Sequence, residues 1–381
     1  MTQIKEVKPF KFDSNTKKWI TVQFDTSHQG LSINDSFKLG SLNIMDEKYK
    51  IIRSIIIRDD ERFVHTVKLL EEENFNVLAL NEVTPRFLKR LQDSEFFSKN
   101  YFFTDIVNDD VTDSVNKSLG SGFQGNLILS KVCPIAVHLI ENPISKHFVL
   151  ATFECDSTEK LCMISAHTLA YAKNVEQRKT ELKSIANNSY VQEMDQVIIL
   201  GDLNLHAESE DEIIEEIGFR DVWKETRSDK GYTFDPLINS FIRFKYLGME
   251  KRRMRLDRIL IRNSNTLGAC QPMKLFANKP IHESSKHLSA EPLNTPLWYT
   301  LFNILFGNIN RKDYLFYSDH FGMKVQLKRY ENQSDLLKQH QAIKEEAINL
   351  TENHVNDRYS FVRKALLSIF ILSLAYFVFR W

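Results

Sequence analysis

The chain has 381 residues, 43% of them apolar and 27 of them phenylalanine, so it can bury a large core in one or two domains. Lysine plus arginine equals aspartate plus glutamate at 50 each, which excludes a global basic field and leaves nucleic-acid contact to a local patch. Cys133, Cys155, Cys162 and Cys270 show no C-x-x-C and no zinc spacing, and Met1 to Phe10 is polar and charged. These features predict reduced thiols facing the cytosol and no secretory signal, and they make the sequons at Asn187, Asn332 and Asn349 chance matches.

In chain order, residues 1–37 read as a polar extension carrying one alternating stretch, Trp19 to Phe24, that predicts an edge strand. Phe37 to Ile44 predicts a strand that carries Asn43. Arg58 to Asn74 predicts a helix feeding the strand Val77 to Leu80. That rhythm argues for an α/β layered fold. Further strands are predicted at Gly125–Ser130, His147–Glu154, Leu161–Ala166, Met254–Arg262 and Tyr317–Gln326, with a helix at Arg178–Ala186.

Residues 277–316 form an insert too long for a plain hairpin loop, with the bulky apolar run Pro296 to Phe306. It reads as a helix capping the core or as a lid beside a cleft. Residues 331–360 read as a polar helical spacer, and 361–381 as a membrane anchor. Ala365 to Phe379 is free of charge and bounded by Arg363, Lys364 and Arg380. As a helix that run spans roughly 22 Å, short of the roughly 30 Å hydrocarbon core, and snorkelling of the flanking basic residues closes most of the gap. The expected location is therefore a membrane, with the body of the chain facing the cytosol.

Val197-Ile-Ile-Leu-Gly-Asp-Leu-Asn-Leu-His206 is the most informative stretch: an apolar run that stops at Gly201, Asp202 and Asn204. It reads as a buried strand delivering a carboxylate and an amide to a cleft. Alone it also fits a strand running into an Asx-turn. The reading sharpens because Asn81-Glu82-Val83 lies upstream and Ser318-Asp319-His320 downstream.

Hydrolysis of a phosphodiester needs an activated water, neutralised phosphoryl charge and help for the leaving oxygen. Mg²⁺ takes only one or two protein carboxylates and keeps several waters, a requirement that Glu82 meets. Asp202 then orients or deprotonates the water, and Asn204 holds that water or a phosphate oxygen. His320 donates to phosphoryl oxygens, with Asp257 fixing its ring. Asp319 offers a second metal contact and His167 another phosphate contact. Lys251-Arg252-Arg253 with Arg255 reads as a phosphate grip or as a solvated charged loop.

The order Leu42-Asn43, Asn81-Glu82-Val83, Ser165-Ala166-His167, Gly201-Asp202-Leu203-Asn204, Leu256-Asp257-Arg258-Ile259 and Ser318-Asp319-His320 resembles the endonuclease/exonuclease/phosphatase superfamily over about residues 38–328. The resemblance implies a four-layered α/β sandwich, two packed sheets flanked by helices, forming a catalytic domain over residues 38–330. It implies Asn43 and Glu82 at a Mg²⁺ (or substituting Mn²⁺) assisted by Asp319, and Asp202 and Asn204 at the nucleophile. By the same resemblance His167 and His320 would bind phosphate, and Asp257 would orient His320. Within that superfamily the motifs most resemble the tyrosyl-DNA phosphodiesterase 2 group, through Asn81 to Pro85, Asp257-Arg258-Ile259 and Ser318 to Gly322. Leu42, Leu203 and His206 depart from that group's usual Trp, Thr and Arg and leave the hydrolytic core intact. A nucleic-acid phosphoester is thus the expected substrate, with a lipid or inositol phosphate as the alternative and a catalytically dead membrane scaffold as the third reading.

Overall fold

The computed structural model describes residues 3–25, 28–45, 57–108, 114–119, 124–142, 146–156, 159–246, 249–263, 266–282 and 315–348. In chain order the strands are β1 (Ile4–Val7), β2 (Phe10–Asp13), β3 (Lys18–Thr21), β4 (Phe37–Asn43), β5 (Val77–Val83), β6 (Phe102–Phe103), β7 (Gly125–Ser130) and β8 (Ala136–Ile140). They continue with β9 (Phe148–Glu154), β10 (Lys160–Ser165), β11 (Gln196–Asp202), β12 (Phe219–Asp221), β13 (Asp257–Arg262), β14 (Leu267–Ala269), β15 (Lys274–Phe276) and β16 (Gly322–Arg329). The helices are α1 (Asp59–Glu73), α2 (Pro85–Asp93), α3 (Glu95–Asn100), α4 (Val175–Ala186), α5 (Ser189–Gln192), α6 (Glu212–Glu216), α7 (Val222–Thr226) and α8 (Ser240–Lys245).

One sheet runs β1-β8-β9-β10-β11-β13-β12 and the other β14-β16-β4-β5-β7-β6-β2-β3, with β15 also on β16. Strand alternation sorts the side chains into layers. Leu39, Val77, Ala79 and Val325 from the second sheet meet Val149, Met163, Ile198, Leu200 and Ile259 from the first in one central core. The outward-facing residues of β4 and β5 (Leu42, Leu78, Leu80) pack under Phe63, Leu70, Phe87 and Leu91 of α1 and α2. Those of β10 and β11 (Cys162, Ile164, Val197, Ile199) pack under Leu182, Ile185 and Val191 of α4 and α5. This is the four-layered sandwich the resemblance implies. All four cysteines are free thiols.

Several boundaries differ from expectation. The strand expected at Tyr317–Gln326 begins at Gly322, so Asp319 and His320 sit in the loop that enters β16. The Ser318 hydroxyl accepts from His320 N–H at 3.1 Å, and Asn239 Nδ2 donates to the Ser318 carbonyl at 2.9 Å. These bonds give the loop a turn in place of a ladder. Likewise β13 starts at Asp257, three residues after Met254. Glu82 lies inside β5, at a bulge between Leu80 and Val83, with φ of 55°. The bulge turns its carboxylate out of the ladder.

The N-terminal extension is part of the fold, since β1 pairs with β8 and β2 with both β3 and β6. Of the expected insert, Ile281 N–H donates to the Leu315 carbonyl at 2.8 Å, and 283–314 lies outside the described residues. Residues 333–348 are helical, but this first half of the expected spacer packs on the body through buried Leu336, His340, Ile343 and Ala347. The expected anchor 361–381 lies outside the described residues, and among those described no helix is long and apolar enough to cross a membrane.

Candidate active site

The site forms at one edge of the two sheets because register brings the motif residues there. On parallel β4 and β5, Asn43 pairs with Asn81, and on antiparallel β11 and β13, Asp202 pairs with Asp257. Asn81 joins the sheets: its Oδ1 accepts from Asp202 N–H at 3.0 Å, and its Nδ2 donates to Asn126 Oδ1 at 2.7 Å. Gly201 makes the crossing feasible. Its φ is +134°, and a Cβ there would lie 2.1 Å from the Ala166 carbonyl oxygen.

Asp202 is central and buried. Its Oδ2 accepts from Asn43 Nδ2 at 3.0 Å and lies 3.6 Å from His167 Nε2 and 3.9 Å from His320 Nε2. Its Oδ1 accepts from Asn204 N–H at 3.0 Å, while Asn204 Nδ2 donates to the Thr168 carbonyl at 3.0 Å. Asn204, in the left-handed region at φ 48°, thus holds Asp202 and the Thr168 loop together. Asn43 Nδ2 also donates to Glu82 Oε1 at 3.2 Å, so one amide bridges both carboxylates.

The two histidines have opposite electrostatics. Burial, then the Lys146 ammonium whose Nζ is 2.7 Å from its Nδ1, pushes His167 down to about 3. Burial opposes charge on His320 too, but Asp257 and Asp202 outweigh it and lift this imidazole to about 10. Asp257 Oδ2 lies 2.8 Å from His320 Nδ1. At neutral pH one ring is neutral and the other an imidazolium. Burial raises the Glu82 carboxyl, yet Lys146, Lys245 and His320 hold it below its usual range overall.

Asp319 is brought near the cleft but bonds Lys245, Nζ to Oδ2 at 2.9 Å, and does not join a ligand group with Glu82. Among the described residues the groups with converging ligand atoms here are Glu82, His167 and Asp202, and Asp202, Asp257 and His320. His206 stays outside both, its Nδ1 3.3 Å from the Met254 sulfur. In the basic cluster, Arg252, Arg253 and Arg255 are engaged by Glu250, Asp235 and Asp221.

Four residues escaped the motif reading. Lys146 and Lys245 are isolated lysines in loop and short-helix context, with no pattern to mark them. Thr233 looks like any turn residue, yet its hydroxyl accepts from Leu256 and Asp257 N–H at 3.1 and 3.2 Å, and its carbonyl accepts from Phe321 N–H at 2.7 Å. Arg62 sits in the acidic start of α1 and resembles a surface charge, but it is fully buried. It donates to the carbonyls of Ile44 (3.2 Å), Met45 (2.7 Å) and Tyr317 (2.5 Å), fixing the chain next to Asn43 and Ser318.

Residues 58–230 match the family model described as Endonuclease/Exonuclease/phosphatase family 2. Among solved structures, humanized D. rerio TDP2 with 14 mutations has a TM-score of 0.52 at 18% identity, covering 77% of this chain and 99% of that one. Truncated Caenorhabditis elegans TDP2 gives 0.51 at 15% identity, covering 77% and 97%. D. rerio TDP2 complexed with single strand DNA product gives 0.51 at 16% identity, covering 77% and 99%. No curated protein matches the chain significantly in sequence. The chain thus shares the four-layered fold of these structures, and its residues 58–230 carry the sequence match to the endonuclease/exonuclease/phosphatase family model.

Proposed function

We propose that the chain is a divalent-cation-dependent phosphodiesterase that cleaves a nucleic-acid-type phosphoester, such as a tyrosyl-DNA adduct, by attack of water. The observation that carries this reading is Asp202 set between a neutral His167 and a charged His320 braced by Asp257. Asp202 Oδ2 takes the proton of the attacking water. Asn204 and Asn81 fix the carboxylate and its backbone so that it faces the cleft. His320 donates from Nε2 to a phosphoryl oxygen as charge builds there, while Asp257 keeps Nδ1 occupied. His167, neutral at Nε2, contributes a second contact to the phosphate. Lys146 and Lys245 add positive potential around the same oxygens, Asp319 holding the latter in place.

The donor set fits a hard divalent cation. Glu82 would hold it through oxygen, as Mg²⁺ or Mn²⁺ requires, and Asn43 would join only with its amide turned over, since Nδ2 faces Glu82 and Oδ1 accepts from Met45 N–H at 2.9 Å. Four carboxylates (Glu82, Asp202, Asp257 and Asp319) face two lysines and one imidazolium, leaving negative charge to be balanced. Such an ion, when bound, neutralises phosphoryl charge and assists the leaving oxygen.

Support for a nucleic-acid substrate comes from the fold shared with D. rerio TDP2, solved with a single strand DNA product. The test is hydrolysis by the full chain, with Mg²⁺ or EDTA, of 5′-phosphotyrosyl DNA, abasic DNA, oligo(A) RNA, sphingomyelin and a phosphoinositide. Mg²⁺-dependent cleavage of a nucleic-acid member is expected. Cleavage of the lipids alone would overturn the substrate class, and no hydrolysis of any would overturn the activity.

A further inference from the structure

We propose a second cation site, selective for a borderline metal such as Zn²⁺, formed by Glu61, His65 and His282. It shares no residue with the carboxylate–histidine cleft and goes beyond the phosphodiesterase reading. Glu61 and His65 stand four residues apart on α1, so their side chains project from one face. His282 comes from a segment more than two hundred residues away and places Nε2 2.9 Å from Glu61 Oε1. The rings of His65 and His282 meet edge to face, with centroids 5.5 Å apart and planes at 81°. One ligand atom from each of the three lies within 4.8 Å of the others, and all three side chains are half-buried.

This convergence asks for an explanation, because two imidazoles face one carboxylate and only His282 hydrogen-bonds it. Protonating both would set two like charges against each other. A shared metal ion resolves the arrangement by accepting both lone pairs and the carboxylate oxygen. Tetrahedral Zn²⁺ with bonds of about 2.0–2.2 Å needs ligand atoms about 3.4 Å apart, within reach of small side-chain rotations here. Two nitrogens and one oxygen suit Zn²⁺ over Mg²⁺ or Ca²⁺. The Arg58 guanidinium bonds the second oxygen of Glu61, the outer contact that orients a ligating carboxylate. Binding there would clamp α1 to the chain at His282.

The test is equilibrium dialysis of the full chain, stripped with chelator, against micromolar Zn²⁺ in excess Mg²⁺, reading zinc per chain by elemental analysis. The same measurement is made on Glu61→Gln and on the double variant His65→Ala with His282→Ala. The expected result is one zinc fewer per chain in the double variant, weaker binding in Glu61→Gln, and hydrolysis in Mg²⁺ unchanged in both. If the double variant fails to fold by circular dichroism, His65→Gln, which keeps helix propensity, replaces it. Equal zinc content in the wild type and the folded variants would overturn the site.

Discussion

Asp257 Oδ2 lies 2.8 Å from His320 Nδ1, while the other nitrogen of that ring lies 3.9 Å from Asp202 Oδ2. One imidazole is thus strung between two carboxylates, which is why it stays charged despite burial that opposes the charge. A group whose pKa is raised keeps its charged form below that value and loses it as pH rises through it. The wild-type alkaline limb assigned to His320 therefore falls near pH 10. Asp257→Asn removes the larger of the two supporting charges. Its alkaline limb is expected to move toward neutral pH, with turnover down about a hundredfold, in a pH–rate profile at saturating Mg²⁺.

Burial depresses His167 most, and Lys146 adds to it because its Nζ sits 2.7 Å from Nδ1. In Lys146→Met the imidazole loses that neighbour, so its pKa is expected to rise from about 3 toward the ordinary histidine value. The ring signals of His167 in an NMR titration read this directly. Turnover is expected to fall about tenfold through loss of positive potential at the phosphate.

Arg62 and Asp59 form a fully buried pair at 2.7 Å, and Arg62 also carries the carbonyls beside Asn43 and Ser318. Arg62→Met leaves those carbonyls and a buried carboxylate without their main partner, at a cost of about 3–5 kcal/mol in urea denaturation. The value is expected toward the low end, because Arg86 still reaches Asp59 at 2.9 Å. Arg62→Lys is expected to rescue little, since one ammonium cannot span the acceptors that the guanidinium reaches.

Burial pushes His340 down to about 4, with Arg220 adding to the effect. Its ring packs against Gly268, and Glu225 Oε2 is 3.5 Å from Nδ1. The unfolded chain, with an ordinary histidine, binds more protons than the folded one between pH 6.5 and 4. Stability from this residue is therefore complete above pH 6.5 and is lost as pH falls toward 4. His340→Leu is expected to flatten the slope of melting temperature against pH over that window.

Strongly patterned segments were readable from sequence alone. Gly201 follows the run Val197 to Leu200 because the Ala166 carbonyl comes too close for a Cβ there, and that same glycine flags Asp202. Asn43, Glu82, His167, Asp202, Asn204, Asp257 and His320 carry motif spacing, and the structure brings them together. Asp319 was placed by spacing as well, but its ion pair with Lys245 depends on α8, which no periodicity revealed. Arg62 was hidden because buried and exposed arginines look alike in a charged helix. Strand starts at Asp257 and Gly322 were missed because side chains of Thr233, Ser318 and Asn239 satisfy the backbone just upstream, and such bonds have no sequence period.

The most direct measurement of the central claim is release of tyrosine from a 5′-phosphotyrosyl oligonucleotide by the full chain and by Asp202→Asn, each with Mg²⁺ and with EDTA. The account predicts Mg²⁺-dependent release by the wild type, abolition by EDTA, and a loss of at least about a hundredfold in the folded Asp202→Asn variant. Release that persists in EDTA, or that Asp202→Asn supports at the wild-type rate, would contradict it.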